Sequence, residues 1–184
     1  MVSRSMKILA IIPAKLDSKR LSKKNIQCIN GLTLIEHSID YAAKSKYNPD
    51  ILVSSESEEV EKLVSGKASF HKRKPELCSD AEVVDVYISI VSELDKAYDL
   101  VVCLQPDNPD RDYTFDECVD YMIENNYDDL ITINPSWKRS GSVRIFKFDY
   151  LKQGAVSKRI GCLRDSATDI HYDADLETVT KKLK

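Results

Sequence analysis

Short apolar runs alternate with amphipathic stretches along the chain. The run Ile8–Pro13 is apolar throughout, which is typical of a strand buried on both faces of a parallel sheet. Residues 51–54 and 100–104 form similar runs, and residues 33–45 carry apolar side chains at helical spacing between the first run and the second. Strands that alternate with helices predict βαβ units. We therefore expect a three-layer α/β/α fold with a mainly parallel, Rossmann-like sheet.

The remaining segments continue this alternation. Ser55 with Glu58, and Thr114 with Glu117, have the spacing of a capping box and predict the starts of two helices. Gly66 is the predicted end of the first of these helices. Further helices are expected at residues 84–97 and 175–183, further strands at 68–71, 130–133 and 142–148, and a β-like run at 168–172. Ligands in such folds bind beyond the carboxyl ends of the strands, so residues that follow strands are the candidates for function.

The composition is that of one ordinary globular domain. The 184 residues are 42% hydrophobic and 31% charged, which suits a single domain over residues 1–184. The net charge of -3 argues against a nucleic-acid-binding surface, which would be strongly basic. Five scattered cysteines without a C-x-x-C pair suggest reduced thiols, and no apolar run is long enough to cross a membrane. We expect a cytoplasmic protein that binds neither nucleic acid nor membrane.

A cationic loop follows the first strand. Five lysine or arginine side chains lie within residues 15–24. Several cations and backbone N–H groups that converge in one loop offset the charge of a polyphosphate. The loop has neither a Walker A sequence nor a G-x-G-x-x-G motif, so those two phosphate sites are not indicated. The alternative is a basic loop that is only solvated.

Two aspartates near the end of the chain, Asp173 and Asp175, form a D-x-D pattern after the β-like run. Carboxylates two residues apart can both reach one hard cation, and Mg²⁺ prefers a few carboxylates together with substrate phosphates. The alternative is a surface turn. With a cationic loop elsewhere in the chain, we predict that these two aspartates bind Mg²⁺.

Several stretches of the chain carry motifs in a recognisable order. The opening stretch comprises Ile-Ile-Pro-Ala-Lys at residues 11–15, Ser-Lys-Arg-Leu at 18–21, Lys-Asn at 24–25 and Asn-Gly at 30–31. Later stretches lie at residues 53–56, 73–80, 104–111, 140–146 and 173–175. Together they resemble the acylneuraminate cytidylyltransferase family, which includes the CMP-sialic acid synthetases. The resemblance implies a sheet of the nucleotide-diphospho-sugar transferase type, the use of CTP with Mg²⁺, and a chain that can form a homodimer.

The resemblance also implies roles for individual residues. The residues expected to bind the nucleotide are Ala14, Lys15, Ser18, Lys19, Lys24, Asn25 and Arg73. The residues with expected catalytic roles are Lys15, Lys19 and Lys24, which would hold the triphosphate and the leaving pyrophosphate, and Asp175 as the candidate base. The residues expected to bind the acceptor are Gln105, Asp107 and Asn108. Simpler alternatives are a solvated charge for Arg73 and a loop-structuring amide for Gln105.

The chain departs from the family pattern at several positions. Lys15 stands where arginine is usual, and lysine lacks the bidentate fork. A serine that helps to recognise cytosine is missing near Val84, so NTP use is better supported than a preference for CTP. Asp107 and Asn108 replace Thr-Ser, and the excursion that usually helps to bind the sugar acid and form the dimer, between about residues 134 and 141, is largely missing. These departures predict an acceptor that is smaller than sialic acid or different from it, or a different dimer contact.

The sequence thus predicts a cytidylyltransferase. It would transfer CMP from CTP to a small acidic acceptor, a sialic-acid-like keto-sugar acid, and release pyrophosphate. Two alternatives stay open. One is a nucleotidyltransferase that acts on a phosphonate-like or phosphate-like acceptor, and the other is a non-catalytic nucleotide-binding module.

Overall fold

A central sheet organises the part of the chain that the computed structural model describes, which is residues 6–18, 20–78, 81–155 and 157–184. The described strands are β1 (Ile8–Pro13), β2 (Cys28–Ile29), β3 (Leu32–Thr33), β4 (Asp50–Ser55), β5 (Ser69–Lys72), β6 (Leu100–Cys103), β7 (Asp129–Ile133), β8 (Arg139–Lys147) and β9 (Ile160–Arg164). The sheet has the order β5-β4-β1-β6-β8-β7-β9, and β2 and β3 form a separate hairpin. Strand β8 is antiparallel to β6 and β7, and the other neighbours are parallel. The prediction of a mainly parallel sheet is confirmed.

Helices cover both faces of this sheet. The described α-helices are α1 (Leu34–Ala43), α2 (Glu58–Val64), α3 (Val83–Glu93), α4 (Phe115–Glu124), α5 (Phe148–Lys152) and α6 (Asp173–Lys182). Alternate residues of β1 point to opposite faces: Ile8 packs in the core beneath α1, α2 and α4, and Leu9 packs in the core beneath α3 and α5. The run Ile8–Pro13 is apolar throughout because both of its faces are buried. The predicted three-layer fold is therefore confirmed.

Capping side chains decide where two of the predicted helices begin. The Thr114 hydroxyl accepts a hydrogen bond from the Glu117 N–H at 3.2 Å, so the predicted capping box of α4 is present. The predicted start of α2 at Ser55 is wrong, because Ser55 ends β4 and the Ser57 hydroxyl accepts from the Glu59 N–H at 3.1 Å instead. Gly66 follows α2 with a φ of 75°, a conformation that glycine adopts without steric cost.

The C-terminal third differs most from the sequence-based prediction. Residues 168–172 do not form a strand, and the strand of this region is β9, which pairs with β7 at the edge of the sheet. Residues 165–172 instead run back to the loop after β6, where the Ile170 N–H donates to the Asp107 carbonyl at 2.9 Å. None of the helices in the described part of the chain combines the length and the apolar character needed to span a bilayer.

Candidate active site

A cleft of about 250 Å³ lies beyond the carboxyl ends of β1, β5 and β6. Strand β1 lies between β4 and β6: the chain runs from β1 to β4 and β5 on one side of it and then crosses to β6 on the other side. Such a switch point opens a crevice in which α/β folds bind ligands. Seven of the predicted site residues line the cleft, namely Lys15, Ser18, Lys24, Asn25, Arg73, Gln105 and Asp107. The residues predicted from the sequence thus make up half of the fourteen that line the cleft.

The loop after β1 is held against the sheet by hydrogen bonds to its backbone. The Asn25 amide donates to the Lys15 carbonyl at 2.7 Å, and the Leu16 N–H donates to the Glu56 carboxylate at 2.8 Å. Asn25 is buried, so its amide stabilises the loop from within. This residue lines the cleft, but one of the two N–H donors of its side-chain amide already serves the loop.

Lys24 lies inside the cleft and forms an ion pair there. Its ammonium donates to the Asp107 carboxylate at 2.5 Å, and each of the two side chains is 13% exposed. The second oxygen of Asp107 is buried without a hydrogen-bond partner among the described residues. A polyphosphate that uses Lys24 must therefore compete with Asp107, or share the ammonium with it.

Arg73 is a buried cation at the wall of the cleft. It is 6% exposed, and its guanidinium donates to the Ser54 carbonyl at 2.9 Å while its Nε has no partner in the described part of the chain. Burial lowers the pKa of Arg73, and the nearby Glu56 carboxylate opposes that shift. The alternative of a solvated charge is therefore wrong.

Gln105 lies between the cleft and a second pocket of about 290 Å³. The second pocket is lined by four charged residues that the sequence did not single out, Glu82, Arg139, Arg144 and Asp169. Arg144 donates to the Asp129 carboxylate at 2.8 Å, and its Nε is buried without a partner among the described residues. Two guanidinium groups in one pocket suit an anionic ligand group.

Asp169 lines the second pocket. Its carboxylate contacts the His171 imidazole at 3.0 Å. Loss of solvation raises the pKa of Asp169 first, and the negative charge of Asp107 raises it further. Asp107 and Asp169 are thus two carboxylates close enough to influence each other, with the Lys24 ammonium beside them.

Two other predicted residues are not found as site donors, and a third lies outside the described part of the chain. The Ala14 side chain is fully buried and its N–H donates to the Ser54 carbonyl at 2.8 Å, so this N–H serves the sheet rather than a phosphate. Asn108 is 1% exposed, and its amide donates to the Thr168 carbonyl at 3.1 Å, which connects two loops of the fold. Lys19 lies outside the described residues.

Asp173 and Asp175 belong to the first turn of α6. The Asp175 carboxylate accepts hydrogen bonds from the N–H groups of His171 and Tyr172, both at 2.9 Å. These bonds satisfy backbone donors at the helix start, where a negative charge also complements the helix dipole. Neither aspartate lines the cleft or the second pocket. The two carboxylates predicted to hold a metal are therefore not brought to the cleft, and Asp175 acts as a capping residue.

A sequence model of the family described as Cytidylyltransferase matches residues 9–153. The chain belongs to the cytidylyltransferase family. It is 31% identical over 149 residues to the CMP-N,N'-diacetyllegionaminic acid synthase of Legionella pneumophila, covering 73% of this chain and 63% of that protein. It is 36% identical over 110 residues to a pseudaminic acid cytidylyltransferase of Campylobacter jejuni, covering 56% of this chain and 47% of that protein. The chain thus matches less than two thirds of the length of either relative.

Solved structures of cytidylyltransferases share the fold. A CMP:2-keto-3-deoxy-manno-octonic acid synthetase complexed with CTP superposes with a TM-score of 0.74 at 16% identity, covering 96% of this chain and 98% of that one. A 4-diphosphocytidyl-2C-methyl-D-erythritol synthase from Anaerococcus prevotii gives a TM-score of 0.64 at 12% identity, covering 97% of this chain and 96% of that one. At such low identity the likeness shows the fold alone.

Proposed function

We propose that this cytidylyltransferase family member transfers CMP from CTP to a small keto-sugar acid and releases pyrophosphate. The observation that carries the proposal is the pair of adjoining cavities with Gln105 between them: one contains Lys15, Lys24 and Arg73, and the other contains two arginines. A transfer between two anionic substrates needs such neighbouring cationic sites, since both substrates must be held close together and in line. The names of the relatives, which refer to legionaminic and pseudaminic acids, support an acceptor of this class.

The larger group of cations suits the nucleotide. Lys15 and Lys24 line the cleft beside the loop after β1, and we assign them, with Lys19, to the triphosphate and the leaving pyrophosphate. Arg73 is fixed by its hydrogen bond to Ser54 and keeps a buried Nε without a partner among the described residues, so it can donate to a base edge at little entropic cost. Positioning and charge stabilisation of this kind supply most of the rate enhancement in nucleotidyl transfer.

The second pocket suits the acceptor. Arg139 and Arg144 can bind a carboxylate, and Gln105 can donate and accept hydrogen bonds with a hydroxyl group. A phosphonate would suit the same two arginines, so a phosphonate acceptor is the second candidate. In the described structure β7 and β8 are joined by residues 134–138 alone, which leaves this pocket without a longer covering segment at that point.

Mg²⁺ remains part of the proposal, with different ligands from those predicted. The oxygens of Asp107 and Asp169 are hard ligands of the kind Mg²⁺ prefers, and one buried oxygen of Asp107 has no partner among the described residues. These two residues would hold the ion together with substrate phosphates. When bound, the ion would stabilise negative charge on the phosphoryl oxygens.

Pyrophosphate release tests the proposal. The four NTPs are each incubated with a panel of keto-sugar acids and phosphonates, with Mg²⁺ or with EDTA. We expect release that requires CTP, Mg²⁺ and one acceptor class, and we expect Arg144→Met to raise the KM of the acceptor more than that of CTP. A folded protein that releases no pyrophosphate with any acceptor, although it binds CTP, would support the non-catalytic alternative instead.

A further inference from the structure

Gly141 lies in contact with the side-chain amide of Gln105. A Cβ atom at position 141 would lie 2.6 Å from Oε1 of Gln105 and closer still to its Cδ and Nε2. All three distances are well inside van der Waals contact. The amide therefore occupies the space that any other residue at position 141 would fill, and it does so at the boundary between the two cavities.

The backbone around this contact is fixed on both sides. The Gln105 N–H donates to the Gly141 carbonyl at 3.3 Å, and the half-buried Arg111 guanidinium donates to the Gln105 carbonyl at 2.8 Å. Arg111 also donates to the Ser142 carbonyl at 2.9 Å, so one cation holds the two segments together. A side chain added at position 141 would consequently displace the flexible end of Gln105 rather than the two backbones.

We propose that Gly141 is a positioning residue for the acceptor: its missing side chain keeps the Gln105 amide at the boundary between the nucleotide cleft and the second pocket. This inference rests on the proposed function, because it assigns the amide to acceptor binding. It also predicts that the residue at position 141 controls acceptor binding although this residue does not contact the acceptor.

A double-mutant cycle tests the inference. Gly141→Ala should raise the KM of the acceptor about tenfold, the loss expected for one or two displaced hydrogen bonds, and leave the KM of CTP unchanged. In a Gln105→Ala background the same substitution should have almost no further effect, because the space is then empty. Gly161→Ala is the matched control, since its Cβ would lie 2.8 Å from Leu130 in the core; it should lower thermal stability and leave the ratio of the two KM values unchanged.

A crystal structure of Gly141→Ala decides the geometric half of the inference even if no acceptor supports turnover. We expect the Gln105 amide to adopt a different rotamer while the backbones at positions 105 and 141 stay in place. An amide in its original position, or additive effects of the two substitutions on acceptor KM, would overturn the inference. If the wild-type protein is inactive and the amide is displaced in the variant, the proposed function and this acceptor role are both refuted. Gly141 would then be a residue that positions Gln105 and has no role in acceptor binding.

Discussion

The ion pair between Lys24 and Asp107 gives a direct test of the proposal that Lys24 binds the phosphates of a nucleotide. Asp107→Asn preserves the shape of the side chain and removes its negative charge. Lys24 then no longer has a charged partner at 2.5 Å, and the phosphates no longer approach a carboxylate. Both changes act in the same direction, so we expect CTP to bind more tightly in the absence of a divalent cation.

The size of the effect follows from the exposure of the pair. An exposed ion pair contributes up to about 1 kcal/mol, and a pair of charges at an effective dielectric constant of about 20 interacts by about 4 kcal/mol at 4 Å. Both side chains of this pair are 13% exposed, which lies between those situations. We expect a gain of about 1–2 kcal/mol, equivalent to binding about 5-fold to 30-fold tighter.

Isothermal titration of CTP in EDTA measures this change, because EDTA removes the cation that Asp107 would otherwise help to bind. Glu59→Gln is the matched control: it removes the partner of the neighbouring Lys23, in an ion pair of 2.6 Å whose side chains are more than half exposed. This control should leave the affinity for CTP unchanged. Equal or weaker binding by a folded Asp107→Asn variant would refute the assignment of Lys24 to the phosphates.

Three further predictions follow from the contacts of single residues. Asp175→Ala should lower the free energy of unfolding by about 1 kcal/mol in urea titrations, because a helix cap is lost, while the Mg²⁺ dependence of pyrophosphate release stays unchanged. Arg73→Lys should weaken CTP binding about tenfold in isothermal titration. An ammonium cannot replace both the hydrogen bond of the guanidinium to the Ser54 carbonyl and its proposed contact with the base edge. Glu36→Gln should lower the free energy of unfolding by about 1 kcal/mol near pH 7. Burial alone would raise the pKa of Glu36, but hydrogen bonds from Lys67 and Thr33 lower it to about 2. The stabilisation by ionised Glu36 is therefore complete above its ordinary pKa of 4.5 and is lost as the pH falls towards 2. The free energies of unfolding of wild type and variant, measured by urea titration, should converge near that pH.

The fold was predictable because its main signals are local. The run Ile8–Pro13 has no polar residue, and such a run suits a strand covered by helices on both faces. The capping box of Thr114 and Glu117 marks the start of α4 within four residues. Strand β9 lacked such a signal: it is a sheet edge with exposed Ile160 and Cys162, and its only described strand partner is β7. A strand that pairs mainly with one strand distant in the sequence shows little hydrophobic pattern from which it could be predicted.

The meeting of Lys15, Lys24 and Gln105 in the cleft beside the loop after β1 was predictable for a related reason. Lys15 and Lys24 lie close together in the chain, directly after the central strand, so a single loop brings both to the cleft. Gln105 follows β6, which neighbours β1, and the shared edge of the sheet brings it to the same place. Residues that directly follow adjacent parallel strands lie close together at one edge of the sheet, so the positions of the strands are enough to predict that these residues meet.

The second pocket depends on contacts that no local pattern contains. Arg139 and Arg144 are five positions apart, a spacing that points to opposite faces of a regular strand, yet both line the second pocket because the pairing of β7 with β8 is irregular between Ile131 and Ile133. Asp169 reaches the site because the segment before α6 is bound to the loop after β6, through the Ile170 N–H and the Asp107 carbonyl. The D-x-D pattern four residues later has the same composition as a metal site, but it begins a helix, and its carboxylate satisfies the backbone donors there. Carboxylates of one short segment thus divide between helix capping and the second pocket according to long-range hydrogen bonds, and the spacing of the aspartates alone does not show which of them reach a cavity.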